Sequence, residues 1–382
     1  MKIVHIAPCA PYNEGWGYQE NLLPKYHYKL GHEVCLIVSD AMHEDGKLTI
    51  TECCDKIMDD GVRLIRIPSG YSHNRNALEA IRANMNIYPL LCQLKPDYIF
   101  FHGLISESIL QVVRYKRKIN PGCIIVQDNH MDYRNARQIR SKIRRFYYRF
   151  LVKRTINYID KVYGVTPWRK DYAEDYFNVP KNKTDVLLMG ADDEVMDFEG
   201  RTLHRKVIRD KYNIKDDEYL IVSGGKIDAD KNIDILIKAC EGIENVRLLL
   251  FGSINTNIKD KLLDLIRNSS RVTYVGWIEA KECYKYFYAA DLVCFLGTHS
   301  VLWEQACASK IACVFKLWPG MNHVDVGGNA LLLDKIDEQS LRGTIRSLLF
   351  TEKYFAMKKA AESTITDVFR YSFIARKSLD FV

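Results

Sequence analysis

The feature that most constrains this chain is an alternation of short apolar runs and amphipathic helical stretches, which runs once and then restarts after about residue 180. In the first half, "KIVHIA" at Lys2 is the continuous apolar run that a parallel strand buried on both faces requires. A Pro/Gly loop, "PCAPYNEGWG", follows it. A helical stretch from about Tyr18 to Leu30 then ends at Gly31, a residue suited to a left-handed C-cap, and "EVCLIV" begins the next strand. This βαβ unit places its glycine loop at a strand's carboxyl end, where open α/β sheets bind ligands. "DYIFFH" from Asp97 and "CIIVQDNH" from Cys123 predict further buried strands. In the second half "YLIVS", "VRLLLFG", "RVTYVGW", "DLVCFLG" and "IACVFK" read as strands, with helices through "IDILIKAC" and "SVLWEQACASK". The pattern predicts an α/β protein with two Rossmann-like, doubly wound domains, and 382 residues is the right length for two. A Thr-Pro turn in "DKVYGVTPWRKDY" sets the expected boundary, giving domains over 1–165 and 166–363. The last stretch, about 364–382, has helical spacing and need not belong to the domain that precedes it.

Composition narrows the class. With 47% hydrophobic and 27% charged residues the chain is globular rather than disordered. No apolar run approaches the ~20 residues of a membrane span, and the N-terminus lacks a signal-peptide core, so a cytoplasmic location is expected. Eleven cysteines is an odd number without a CxxC pair, and Cys240, Cys294 and Cys313 sit in apolar runs, as reduced thiols do. The net charge of +7 is unevenly placed: Arg137 to Arg154 holds eight Lys or Arg and no acid. There Ile139, Ile143, Phe146, Tyr147 and Phe150 share helical spacing, with Arg140, Arg144, Arg145 and Arg149 largely on other faces. A basic amphipathic helix of this kind suits peripheral contact with anionic lipid at the inner face of the membrane. No nucleic-acid-binding module accompanies the charge.

Three segments carry the chemistry. In "GGKIDADKN", Gly224 and Gly225 let backbone approach a ligand while Lys226 and Lys231 bring two cations to the same mouth, a combination suited to a diphosphate. It is neither GxGxxG nor a P-loop, which disfavours a dinucleotide-dependent dehydrogenase. In "FLGTHSVLWEQAC", Thr298 or Ser300 can cap the helix that holds Glu304, leaving amides for phosphate and a carboxylate for a ribose diol. His130, in "QDNHMDYRN", follows a strand of the first half, and His102 in "FFHG" is a second strand-end histidine. "DAD" at Asp228 matches a metal signature in form only; it lies between the two lysines in a turn, and no metal is assigned.

Together these segments resemble the large retaining glycosyltransferase family with the GT-B fold, often called family four. Lys226 stands where that family has Arg, Lys231 matches its Lys, "LLLFG" its middle strand ending here in Gly252, and Glu304 the second of two spaced Glu residues. "VLLMGAD", "GYQE" at Gly17, "LGHEV", "LKPDYIFFH" and "FRYSFIARKSL" resemble further family segments in the same order. Two departures stand out: Leu296 occupies the place of the first Glu, and Lys226 keeps the Arg charge without its bidentate fork.

The resemblance implies two domains facing a cleft and transfer of a sugar from a nucleotide-diphosphate sugar, with retention, to a glycan or lipid-linked acceptor in cell-surface polysaccharide or glycolipid assembly. It implies no cofactor and no metal beyond the sugar nucleotide as co-substrate. It places Gly17, Gly225, Lys226, Lys231, Gly252, Thr298, His299, Ser300 and Glu304 around the donor, Thr298 or His299 supplying the contact Leu296 cannot. His130 would lie near the reacting centre, with Lys226 and Lys231 stabilising the leaving diphosphate. It also places the last helix back on the N-terminal domain. Two alternatives belong to other classes: a non-catalytic sugar-nucleotide-binding subunit, and a sugar-nucleotide epimerase or hydrolase on the same fold.

Overall fold

Both predicted sheets form, and in each the strand order reverses beside the segments singled out above. The computed structural model describes residues 1–8, 11–44, 47–69, 85–134, 140–349 and 351–382, and for residues 140–145 the backbone alone. The chain divides into two compact units, Met1–Leu188 with Ile374–Val382, and Met189–Phe373.

The first unit contains β1 (Lys2–Ala7), α1 (Gln19–Lys29), β2 (Glu33–Ser39), β3 (Ala41–Glu44), β4 (Lys47–Ile50), β5 (Cys54–Ile57) and β6 (Arg63–Ile67). It continues with α2 (Tyr88–Leu94), β7 (Tyr98–Phe101), α3 (Ile109–Lys118), β8 (Ile124–Asn129), α4 (Arg140–Thr155), β9 (Lys161–Gly164), α5 (Pro167–Phe177) and β10 (Thr184–Val186). Its main sheet runs β10-β9-β8-β7-β1-β2-β6-β5, parallel except for β5. Because β1 has β2 on one side and β7 on the other, their carboxyl ends form a switch point. The loop holding Gly17 leaves β1 there, His102 follows β7, and His130 follows β8.

The second unit contains α6 (Arg201–Lys211), β11 (Tyr219–Ile227), α7 (Ile233–Glu241), β12 (Val246–Ile254), α8 (Thr256–Arg267), β13 (Val272–Gly276), α9 (Cys283–Ala289) and β14 (Leu292–Phe295). Then come α10 (Leu302–Ala308), β15 (Cys313–Lys316), β16 (Ala330–Leu333), α11 (Glu338–Leu348) and α12 (Glu352–Glu362). The sheet order β13-β12-β11-β14-β15-β16 is wholly parallel, with its reversal between β11 and β14. The carboxyl ends of those two strands carry Lys226 to Lys231 and Leu296 to Ser300.

The expected division at 165/166 moves to 188/189. The Thr-Pro turn is the N-cap of α5, where the Thr166 hydroxyl accepts from the Arg169 amide at 3.2 Å and Pro167 occupies the first turn. That helix leads to β10, which pairs parallel with β9 and so belongs to the first sheet. Of the 364–382 stretch, only Ile374–Val382 belongs with the first unit, while a 3₁₀ turn over Thr364–Phe369 belongs to the second. The change from one to the other falls within the helix α13 (Tyr371–Lys377).

The glycine pair at 224–225 is also placed differently from the expected loop: β11 runs through it to Ile227, with Gly225 opposite Gly252 of β12. Gly225 and Gly252 both have positive φ, +99° and +109°. A Cβ on Gly252 would stand 2.0 Å from the Gly225 carbonyl oxygen. Two facing glycines therefore let paired strands kink without parting, carrying Lys226 to the sheet's edge.

Candidate functional site

In the second unit the loops after β11 and β14 are fastened to each other. Gly297 allows the approach, since a Cβ there would lie 2.3 Å from the Asp230 carbonyl oxygen and 2.5 Å from Lys231 Cα. Asn232 Nδ2 donates to the Leu296 carbonyl at 2.6 Å, and Trp318 Nε1 to the Gly297 carbonyl at 2.8 Å. Lys231 Nζ donates to both Thr298 oxygens, the carbonyl at 2.6 Å and the hydroxyl at 2.8 Å. Lys231 thus locks the Thr298 loop as well as bringing charge to it, a structural role that spacing does not reveal. Lys226 stands exposed on β11. Leu296 is buried among the apolar side chains of this unit's core, so the position of the family's first Glu faces the interior.

Neither Thr298 nor Ser300 caps α10. The helix starts at Leu302 after Val301, which offers no capping side chain, and the Thr298 hydroxyl accepts from Lys231 instead. Glu304 sits in the first turn and is fully buried. Its Oε1 accepts two bonds, from His299 Nε2 at 2.7 Å and from His323 Nε2 at 2.8 Å. Its Oε2 is buried with no hydrogen-bond partner among the described residues. Burial alone would favour the neutral acid, but the two imidazoles overcome it and hold the carboxyl down to about 2. Glu304 is therefore an ionised acceptor with one oxygen fixed and the other unspent. Trp303 braces the arrangement, edge-on to His299 and stacked on Phe315.

Among the described residues His299, Glu304 and His323 are also the group whose ligand atoms, all within 4.8 Å, come close enough for a metal ion. The spacing favours hydrogen bonds. Ligands of one tetrahedral zinc with ~2.05 Å bonds lie about 3.3 Å apart, whereas these nitrogens lie at donor–acceptor distance from Oε1.

In the first unit, His130 exposes 40% of its side chain, with Nε2 3.4 Å from Asp128 Oδ2. Desolvation opposes its charge, but Asp128 and then Glu20 of α1 raise its pKa above the ordinary histidine value. Asp128 is fully buried, accepts the Gly103 amide at 2.7 Å and His102 Nδ1 at 3.1 Å, and is held well below the usual carboxylate range. Gly17 lies in the loop before α1, where a Cβ would meet nothing within 4 Å among the described residues, so packing does not demand glycine there. Of the basic residues on α4, the side chains of Arg140, Arg144 and Arg145 lie outside the described residues, as does Ile139 altogether; Arg149 donates to the Asn178 side chain. Phe146, Tyr147 and Phe150 are exposed, while Leu151 and Val152 are buried.

Four residues that matter to these arrangements are not singled out by sequence: Asp128, His5, His27 and His323. A charged or imidazole side chain inside a continuous apolar strand, as in "KIVHIA" and "IIVQDN", is the available signal for two of them. His323 lies in a short 3₁₀ turn, Asn322–Val324, after β15 and gives none.

The buried histidines also set an acid limit. Burial lowers His27 to about 3 and His5 well below its ordinary value of 6.5. The unfolded chain then binds more protons than the native one below about pH 6.5, so stability falls as the pH drops from there toward the folded-state values. His130, raised, works the other way, its contribution fading as the pH rises; it is one group against two. Chemical denaturation midpoints should therefore decline between about pH 7 and about pH 5, and a flat profile would contradict these assignments.

Comparison with known proteins agrees with this architecture. Residues 204–364 match the family described as glycosyl transferases group 1, and residues 23–195 match glycosyltransferase family 4. No curated protein sequence matches the chain. Among solved structures it is similar to sucrose-phosphate synthase from Thermosynechococcus elongatus, with 17% identity, a TM-score of 0.70, and coverage of 100% of this chain and 98% of that one. Anabaena HepE in complex with UDP-glucose gives 14% identity and a TM-score of 0.66, each chain covered in full. WaaG, a glycosyltransferase involved in lipopolysaccharide biosynthesis, gives 14% and 0.64, covering 100% and 99%. Two parallel-sheet α/β domains of this kind are the GT-B fold. With both halves matched in order, the chain belongs to the group 1 family of GT-B glycosyltransferases.

Proposed function

We propose that the protein transfers a hexose from a nucleotide-diphosphate sugar to a glycan or lipid-linked acceptor, with retention and without a metal, in the assembly of a surface polysaccharide or glycolipid. The observation that carries this reading is Glu304: buried, ionised, one oxygen tied by two imidazoles and the other unpartnered among the described residues. A buried acceptor without a donor calls for one, and a ribose hydroxyl supplies it. Lys226 at the end of β11 and Lys231 beside Thr298 supply positive charge for the diphosphate. As the glycosidic C–O bond to phosphate breaks, the acceptor hydroxyl attacks from the same face and its proton passes to the departing phosphate oxygen. His130, its charge supported by Asp128, is the residue of the first unit proposed to act on the sugar.

UDP-glucose is the first donor to try, since the Anabaena relative is described as binding it. In thermal-shift measurements against a panel of sugar nucleotides, one nucleotide series should raise the melting temperature, as any ligand of the native state does. The product's anomeric coupling constant then reports retention. A well-folded sample shifted by no member of the panel would overturn the donor reading.

Peripheral membrane contact is part of the proposal. It is supported by the aromatic side chains of Phe146, Tyr147 and Phe150 standing exposed on a helix rich in arginine. Replacing Phe146 and Phe150 by serine should weaken sedimentation with anionic vesicles at least several-fold, since each ring forfeits apolar burial. Unchanged sedimentation would remove α4 as the anchor.

A further inference from the structure

Away from the donor residues, the first unit buries a single file of hydrogen-bonded imidazoles. Ser378 Oγ lies 2.7 Å from His27 Nε2, and His27 Nδ1 lies 2.9 Å from His5 Nε2. His5 Nδ1 is 3.1 Å from His102 Nε2, and His102 Nδ1 is 3.1 Å from Asp128 Oδ2, the oxygen that also faces His130. The members come from α1, β1, the end of β7, β8 and the segment after α13, far apart in sequence and all buried up to His130. Phe100 lies against both His5 and His102 and fixes their ring planes.

We infer that Ser378, His27, His5 and His102 form a tautomer relay that makes the C-terminal segment a positioning element for Asp128 and, through it, for His130. The inference rests on His130 being a site residue, but its test needs no turnover.

The polarity follows from hydrogen counting. An ionised Asp128 requires a hydrogen on His102 Nδ1, which in a neutral ring leaves Nε2 bare to accept from His5 Nδ1. The same step repeats: His5 Nε2 accepts from His27 Nδ1, and His27 Nε2 accepts the Ser378 hydroxyl. Every ring is then the Nδ1–H tautomer, and every buried nitrogen in the file is satisfied. The alternative is a file with one added proton. Ser378 can turn its hydrogen to the Ala375 carbonyl, 2.8 Å away, with His27 Nε2 donating to Ser378 Oγ and toward Ala375 at 3.3 Å. The file then holds one more proton; His102, the ring that touches the Asp128 carboxylate, carries it rather than His5 or His27, and each link reverses. The two settings differ by that proton alone, and the Ser378 hydroxyl selects between them.

Among the described residues, other titratable groups around the file are few. His32 lies near His27, Glu20 and Arg169 act on His130, and Tyr98 donates its hydroxyl to the Ser378 carbonyl at 3.0 Å. A second positive charge at His102 would compete with His130 for the same oxygen. Loss of the Ser378 hydroxyl is thus expected to reach His130 across the whole file.

Side-chain ¹H–¹⁵N spectra of the full-length protein test this. Near neutral pH, His5, His27 and His102 should all show the Nδ1–H tautomer; a neutral Nε2–H ring at His102, which neither setting allows, would overturn the relay, and this reading needs no variant to fold. Ser378→Ala should move the His102 signals toward imidazolium and His130 titration to lower pH. Ser378→Thr, which keeps the hydroxyl, should restore both. A Ser378→Ala protein that melts earlier yet leaves His102 and His130 unchanged would make the file merely structural and overturn the proposal. Failure of every sugar nucleotide to bind would strike the functional reading of His130 and leave these spectra as expected.

Discussion

Glu304→Gln is expected to fold normally and to bind its donor roughly 30- to 150-fold more weakly, the loss of about 2–3 kcal/mol in charge-assisted hydrogen bonding. The glutamine carbonyl can still accept from His299 and His323, which meet on Oε1 alone. The amide nitrogen replaces Oε2, the unspent oxygen, and turns an acceptor toward the ligand into a donor. Alanine is the poorer probe, since it would strand two buried imidazoles and leave a hole beside Trp303. Titration calorimetry with the sugar nucleotide that stabilises the wild type measures the effect. Equal affinities in wild type and Glu304→Gln would show that Oε2 does not meet the donor. His323→Gln serves as a companion, since its amide can still donate one bond to Oε1. It should leave most of the affinity in place.

Gly252→Ala should destabilise the second unit by ~3 kcal/mol or more and lower its melting temperature by about 6 °C or more. The added Cβ would meet backbone at close range: the Gly225 oxygen at 2.0 Å, its carbonyl carbon at 2.7 Å and its nitrogen at 2.8 Å. Backbone in the middle of a paired register cannot step aside as a side chain can, and φ of +109° is strained for any L-residue with a side chain. Gly17→Ala is the control, because a Cβ there meets open space among the described residues. That variant should melt with the wild type, and any loss it shows should be in ligand binding. Should Gly252→Ala match the wild type in thermal melts, the paired-glycine account of the β11–β12 kink would be wrong.

Glycines thus serve two different ends in this chain. Gly252 and Gly297 are present because backbone passes within contact distance of them, whereas Gly17 has room to spare. In sequence the first two look like strand ends and the third like a phosphate loop, and nothing local tells the two uses apart. Close approach is a property of two segments at once, and a single stretch of sequence carries only one of them.

The chain by itself determined its architecture. Runs such as "KIVHIA", "YIFF" and "VRLLLF" are apolar at nearly every position, so only a strand covered on both faces satisfies them, and their alternation with amphipathic helices leaves parallel sheets as the solution. It also placed Lys226, Lys231 and His130 at or just beyond strand ends and Glu304 in the helix after β14, because polar residues that interrupt or follow buried apolar runs collect at the sheet's carboxyl edge. Tertiary structure alone decided the rest. It set the unit boundary by pairing β10 with β9. It spent Lys231 on Thr298, turned Leu296 into core, and brought His323 to Glu304 from nineteen residues away. It aligned Ser378, His27, His5, His102 and Asp128, the partners of the Ser378–His27 link standing 351 positions apart in the chain. Hydrogen-bond partners across such distances are set by sheet order and register, which local propensity does not encode.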